Sequence, residues 1–112
     1  MADTTDIEAW QQEAGTMGSR SPGRPPDYLE FEKRRAGMIH AMEGGLWLHR
    51  HVWMGRPMAH LVSTDRQRLL AYGRAVGLQP ERLQFKPLKD PRTGERREAW
   101  HWDLVGRFLP PR

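Results

Sequence analysis

The sequence contains no cysteine, and this absence excludes several kinds of site at once. Thiolate nucleophiles, zinc ribbons and disulfide scaffolds all need cysteine, so the fold must rest on apolar packing. The sequence also has no run that approaches the ~18 apolar residues of a transmembrane helix. Its first residues are acidic, whereas a secretory signal peptide begins with basic ones. We therefore expect a cytoplasmic protein with no membrane partner.

The chain is also short and poor in apolar residues. Its 112 residues are too few for a TIM barrel or a complete dinucleotide-binding fold. Only 38% of them are hydrophobic, and the chain contains eleven glycines and nine prolines. It has no Walker loop, dinucleotide fingerprint, nucleophile elbow or HExxH motif. The sequence therefore predicts one modest domain with a loose arm, and no motif identifies a reaction.

Charge is distributed unevenly along the chain. Residues 1–32 contain seven acidic and two basic side chains, a net charge of −5, whereas residues 33–112 contain sixteen basic and seven acidic ones, a net charge of +9. Arginine outnumbers lysine fifteen to three, which either GC-rich codon usage or phosphate recognition would explain. The asymmetry indicates a basic body that binds an anionic partner, and an acidic arm that contacts a partner or covers that body.

Residues 1–26 are predicted to form an acidic, largely flexible arm. Residues 4–14 have acidic side chains in the first turn and apolar ones at helical spacing, which predicts a short helix. Glycine, serine and proline occupy most of residues 15–26, as in a flexible linker. Trp10 and Ile7 give the helix too little apolar surface for stability, so we expect the arm either to dock on a partner or another subunit or to fray.

Residues 27–112 are predicted to form one α+β domain, in which a small antiparallel sheet packs against one or two helices. Asp27 is a plausible helix cap, and the apolar spacing after it predicts a helix over residues 28–43. The other predicted elements are a hairpin over 46–62, a helix over 64–76, strands near 82–85 and 98–105, and an exposed basic loop over 86–97.

The hairpin prediction includes a register. Alternating residues flank the run Met54-Gly55-Arg56-Pro57, which predicts two strands joined by a four-residue loop. With that loop length, His51 faces His60 across the hairpin.

Several short features of residues 46–104 follow one another in an order that resembles a known family. They are Gly55-Arg56 before Ala59-His60-Leu61, a helix cap at Ser63 and Asp65, a leucine-rich helix that ends at Gly77-Leu78, then Gln84-Phe85, and the run His101-Trp102-Asp103-Leu104. In this order the chain resembles a small bacterial and phage family, the domain of unknown function numbered 4031. The resemblance implies the fold and the place of a site, and it implies no activity.

Two departures from the family pattern bear on chemistry. The family's first strand carries an acidic pair where this chain has Trp47-Leu48-His49-Arg50, and Ala59 stands where the family has a cysteine. If the family uses those acids for a metal, this chain has an altered site. Histidine and aspartate side chains would then carry out any catalysis or metal binding in this chain.

Histidines and one aspartate alternate with apolar residues in the predicted strands. We predict His60, His101 and Asp103 as catalytic residues, with a histidine base oriented by Asp103. Imidazole and carboxylate are also ordinary ligands for zinc or manganese, so the predicted metal ligands are His49, His51, His60 and Asp103. The alternative to a catalytic or metal site is that these side chains lie on a solvated face of the sheet. We expect no cofactor, except a divalent metal ion if the side chains converge.

Arginines and tryptophans of the basic body predict contact with nucleic acid. Arginine neutralises phosphates, and exposed tryptophan stacks on bases. The predicted nucleic-acid-binding residues are Arg50, Arg56, Arg66, Arg68, Arg92, Arg96, Arg97, Trp47 and Trp53. A packed core or a solvated charged surface would account for the same residue types.

Three functions follow from these features. The first is a non-enzymatic basic module that binds nucleic acid or a nucleic-acid-associated protein. The second is a small metal-dependent or histidine-based hydrolase or nuclease that uses His60, His101 and Asp103. The third is a structural subunit of a larger assembly, docked through the arm.

Overall fold

The structure, a computed structural model, describes residues 25–112. The predicted helix over 4–14 and most of the predicted linker lie outside the described residues. The described part is an α+β fold with a mixed five-stranded sheet, a small two-stranded sheet and two α-helices, which confirms the predicted fold class. Neither helix has the length or apolar character needed to cross a bilayer.

The elements follow one another as strands interrupted by two helices and two short 3₁₀ turns. In chain order they are β1 (Leu29–Glu30), α1 (Arg34–Met42), β2 (Trp47–Trp53), β3 (Arg56–Ser63), α2 (Arg66–Val76), a 3₁₀ turn (Pro80–Arg82), β4 (Gln84–Phe85), β5 (Leu88–Lys89), β6 (Arg96–Arg97), β7 (Trp100–Leu104) and a second 3₁₀ turn (Gly106–Phe108). The main sheet has the order β1-β2-β3-β7-β4, in which only the β1–β2 pair is parallel.

The prediction of one helix over residues 28–43 is wrong in its first half. Leu29 and Glu30 form β1 along the edge of β2, and α1 begins only at Arg34. Pairing with β2 gives this backbone the hydrogen bonds that a helix would have given it. The Glu30 carboxylate also accepts two hydrogen bonds from Arg50, at 2.8 and 3.2 Å. Long-range contacts therefore override the local helical pattern.

The hairpin has a two-residue turn, so the predicted four-residue loop is wrong. Met54 and Gly55 both have positive φ, +50° and +78°, as a tight hairpin turn requires. Arg56 and Pro57 therefore belong to β3, and His49 rather than His51 lies opposite His60. Proline is tolerated there because Pro57 precedes the part of β3 that pairs with β7.

Residues 86–97 are more ordered than the predicted exposed loop. Strands β5 and β6 pair across a turn in which the buried Asp90 side chain accepts hydrogen bonds from the backbone and guanidinium of Arg92. Arg97 donates to the carbonyl of Met42, and Arg35 donates to the carbonyl of Pro91. This β5–β6 arm is thereby held against α1.

Helix α2 covers one face of the sheet and closes the main core. Asp65 caps its start by accepting from the backbone of Arg68, and Gly77 ends it with φ of +90°. Trp102 lies fully buried beneath it and donates its indole N–H to the carbonyl of Leu69 at 2.7 Å. Gly73 allows this contact, because a Cβ atom there would overlap the Trp102 ring.

Helix α1 covers only part of the opposite face. Gly37 lies against the ring of Trp47, where a Cβ atom would again overlap the indole. Trp47 is therefore buried, with 2% of its surface exposed. No helix of residues 25–112 covers the rest of that face, which carries the histidines.

Candidate functional site

Strand alternation places four histidines on one face of the sheet. His49 and His51 lie two residues apart on β2, His60 lies opposite His49 on β3, and His101 lies on β7. We call His49, His51, His60 and His101 the histidine face. The corrected hairpin register differs from the predicted one by two residues. His49, His51 and His60 therefore stay on the same face, because side chains along a strand alternate with a period of two.

The rings of the histidine face form a continuous row. Trp47 stacks on His49 with ring centroids 5.1 Å apart, and His49 lies 6.0 Å from His51. The next two spacings are 4.6 Å from His51 to His60 and 4.9 Å from His60 to His101. The row therefore begins under α1 and crosses the centre of the sheet.

At the end of this row, His60, His101 and Asp103 form a cluster, which we call the His–His–Asp cluster. His60 is the cross-strand partner of Asp103, and its Nδ1 lies 2.8 Å from Asp103 Oδ1. The Nε2 of His101 lies 3.2 Å from the same oxygen. One potential ligand atom from each side chain lies within 4.8 Å of the others. The three predicted catalytic residues thus lie together.

Gln84 completes the hydrogen bonding of the Asp103 carboxylate. Strand β4 pairs with β7, and Gln84 donates its amide to Asp103 Oδ2 at 2.7 Å. One oxygen therefore faces the glutamine and the other faces both imidazoles. An ionised carboxylate only accepts hydrogen bonds, so the His60 and His101 nitrogens that contact it carry protons.

Burial keeps these histidines neutral near pH 7. It lowers the pKa of His60 and of His101, even though the charge of Asp103 acts in the opposite direction. Burial lowers the pKa of His49 as well. Burial raises the pKa of Asp103, but the hydrogen bond from Gln84 and the two histidines outweigh it, so the net shift is downward. The cluster therefore pairs an ionised carboxylate with neutral imidazoles.

The histidine face forms the floor of a cavity of about 270 Å³. Its other lining residues are Arg34, Trp47, Val62, Lys86 and Leu88. Arg34 comes from the first turn of α1, and Lys86 follows β4 directly, so two separate elements bring a cation to one cavity. Neither side chain forms an ion pair with a carboxylate of residues 25–112. The cavity is therefore cationic.

The predicted metal-ligand set requires a correction. His49 and His51 line the cavity but do not belong to the compact cluster, whereas His101, which the set lacked, does. The difference follows from the pairing of β3 with β7, which was not predicted from the sequence. His60 lies opposite Asp103 on β7, and His101 is two residues from Asp103 on the same face.

The predicted nucleic-acid-binding residues do not form one surface. Trp47 is buried against Gly37, so its prediction as an exposed stacking residue is wrong. Trp53, at the hairpin tip, has 64% of its surface exposed. It lies two residues beyond His51 on β2 and so extends the histidine face.

The predicted arginines divide by their contacts. Arg50 forms an ion pair with Glu30. Arg92 forms ion pairs with Asp90 and Glu43. Arg68 donates to the carbonyl of Gly44, and Arg97 donates to the carbonyl of Met42. The guanidinium of Arg66 lies over the ring of Trp100. Arg56 and Arg96 are exposed. Most of the predicted arginines therefore hold the fold together.

Comparison with known proteins gives no further assignment. No family model, no curated protein and no solved structure matches the chain. The resemblance to the family of unknown function thus stays a prediction, and the function has to be argued from the site itself.

Three residues of the site are absent from the predicted set, namely Arg34, Gln84 and Lys86, and Lys86 begins the segment predicted as an exposed basic loop. Arg34 was placed inside a longer helix, so nothing in the sequence indicated that it begins α1 beside the histidines. Gln84 lies in a predicted strand, but its partner on β7 depends on long-range pairing. The available signals for Gln84 were its place beside an aromatic residue in a short strand and its place in the order of features that resembles the family.

Proposed function

We propose that this protein binds nucleic acid and that a phosphate group of the bound strand occupies the cavity on the histidine face. The observation that carries this proposal is the pair Arg34 and Lys86, which lie at one cavity and form no ion pair with a carboxylate of the described residues. A phosphate would contribute the missing negative charge. Guanidinium suits this role because its N–H groups match the oxygens of a phosphate.

The remaining surface favours a polymer over a small phosphate. Residues 25–112 contain sixteen basic and ten acidic side chains, a net charge of +6, which exceeds what one phosphate neutralises. Trp53 lies on the same face of β2 as His51 and is mostly exposed, so it can stack on a base while a phosphate lies at the cavity. Stacking on aromatic side chains beside cations is the usual mode of binding single strands.

The first prediction concerns the cations of the cavity. Lys86→Ala and Arg34→Ala are each expected to weaken binding of a single-stranded oligonucleotide, because each removes a phosphate contact. Each variant should also lower the slope of log affinity against log salt by about 0.7. Fluorescence anisotropy over a salt series measures both quantities. Arg82→Ala is the matched control, because Arg82 is exposed but lies outside the cavity.

The same experiment tests the stacking residue. Trp53→Ala should weaken binding about tenfold, whereas Phe85→Ala should not, because Phe85 is an exposed aromatic that packs on Trp100 of the α2-covered face. Binding that is insensitive to salt, or variants of Arg34 and Lys86 that bind as tightly as Arg82→Ala, would refute the proposal.

Hydrolysis of a phosphate ester is the second candidate function. The observation that favours it is the 2.8 Å hydrogen bond between His60 and Asp103. This bond fixes the His60 ring with its proton on Nδ1, which leaves Nε2 free to accept a proton from water. Burial lowers the pKa of His60, so the ring is a neutral base near pH 7.

A further inference from the structure

We infer that His60, His101 and Asp103 bind one divalent transition-metal ion, of the zinc or manganese class. The three side chains come from two adjacent strands, and their potential ligand atoms lie within 4.8 Å of one another. Two ligands of one zinc ion lie at most about 4.2 Å apart, since each bond is about 2.1 Å long. The cluster is therefore within about 1 Å of the required geometry.

The donor set suits this class of ion. Two imidazoles and one carboxylate occur at catalytic zinc sites and at other open transition-metal sites. His60 Nδ1 and His101 Nε2 lie 2.8 and 3.2 Å from Asp103 Oδ1, so each ring already directs one nitrogen at the carboxylate. Each ring needs only the tautomer with its proton on the nitrogen that faces away from Asp103.

Gln84 is the positioning residue of this site. It donates to Asp103 Oδ2 at 2.7 Å, and this bond leaves Oδ1 directed at His60 and His101. Hydrogen bonds of this kind orient a ligating carboxylate, and their loss usually lowers metal affinity about 10- to 100-fold. Gln84 itself is not one of the proposed ligands. A change in metal affinity when it is replaced therefore reports the orientation of the Asp103 carboxylate and not the loss of a ligand.

Three protein ligands leave room for a water or a substrate oxygen. His60 and His101 line the cavity that also holds Arg34 and Lys86, so the cation would lie next to the place where a phosphate is proposed to bind. A metal ion there polarises a phosphoryl oxygen or activates a bound water. The inference nevertheless rests on the cluster alone and does not require nucleic-acid binding.

The experiment is a calorimetric titration of the chelator-treated, full-length protein with Zn²⁺ and, separately, with Mn²⁺. We expect saturable binding of one ion per chain. His101→Ala and Asp103→Asn should remove it, and Gln84→Leu should weaken it about 10- to 100-fold. His49→Ala is the matched control and should bind as the wild type does, because His49 lines the same cavity outside the cluster.

Two outcomes would overturn the inference. One is the absence of saturable binding of either ion to the wild type. The other is an equal loss in His49→Ala and His101→Ala, which would indicate general histidine binding. Asp103→Asn keeps the shape of an exposed side chain, so its thermal melting should match that of the wild type even if His101→Ala unfolds. Oligonucleotide binding measured in the presence of chelator reports on the proposed function separately.

Discussion

Replacing Gly73 by alanine is expected to destabilise the protein by about 2 kcal/mol, although alanine is the better helix former. The helix propensity of alanine alone would stabilise α2 by about 1 kcal/mol. The new Cβ atom, however, would overlap the ring of Trp102, which is fully buried and hydrogen-bonded to the carbonyl of Leu69. A buried ring held by this hydrogen bond has to shift to admit the Cβ atom, so we expect overpacking to outweigh propensity.

Chemical and thermal denaturation measure this effect. For a domain of this size the loss corresponds to a fall in melting temperature of about 10 °C. Gln67→Ala is the control, because Gln67 is exposed on the same helix and its replacement should change stability by less than ~0.5 kcal/mol. A Gly73→Ala variant as stable as the wild type would show that α2 does not pack on Trp102 as described.

The second candidate function makes the other large prediction. If His60 removes a proton from the attacking water, His60→Ala should slow cleavage of an activated phosphodiester about 10²- to 10⁴-fold. The Asp103→Asn variant should also cleave the ester slowly. Its amide can donate a hydrogen bond to His60 Nδ1, which favours the tautomer with the proton on Nε2 and so leaves no free base at that nitrogen. Release of 4-nitrophenol from bis(4-nitrophenyl) phosphate gives the rate directly.

His40→Gln is the control for this experiment. His40 lies on α1, contacts Phe31 and does not line the cavity, so its variant should keep the wild-type rate. Wild-type protein that hydrolyses the ester no faster than buffer does would refute the hydrolase candidate. A His60→Ala variant that keeps the wild-type rate would refute it equally, and either result leaves the proposed binding function untouched.

The parts of the fold with strong local signals were predictable from the sequence. Helix α2 has its cap at Asp65, its apolar stripe and its final Gly77, all within one short segment. Local signals fail where distant pairing decides the structure. Leu29 and Glu30 look helical but pair with β2, and the β5–β6 arm is ordered by the buried side chain of Asp90 and by contacts with α1.

The candidate site was predictable for a specific reason. Strand alternation predicts His101 and Asp103 on one face of their strand, and His49, His51 and His60 on one face of the hairpin. A register error of two residues in the hairpin does not move a side chain to the other face. The metal ligands were harder to predict, because the pairing of β3 with β7, which brings His60 next to His101 and Asp103, is a long-range contact. Gln84 and Arg34 enter through tertiary contacts, which no local pattern encodes.

The central claim is that the histidine face is where this protein binds its ligand. Proton–nitrogen NMR spectra of the five imidazoles, recorded while a single-stranded oligonucleotide is added, test this claim most directly. We predict saturable shifts of the His51, His60 and His101 signals, with His40 unchanged because it lies outside the cavity. Saturable binding that leaves those three signals in place, or that shifts only His40, would contradict the account.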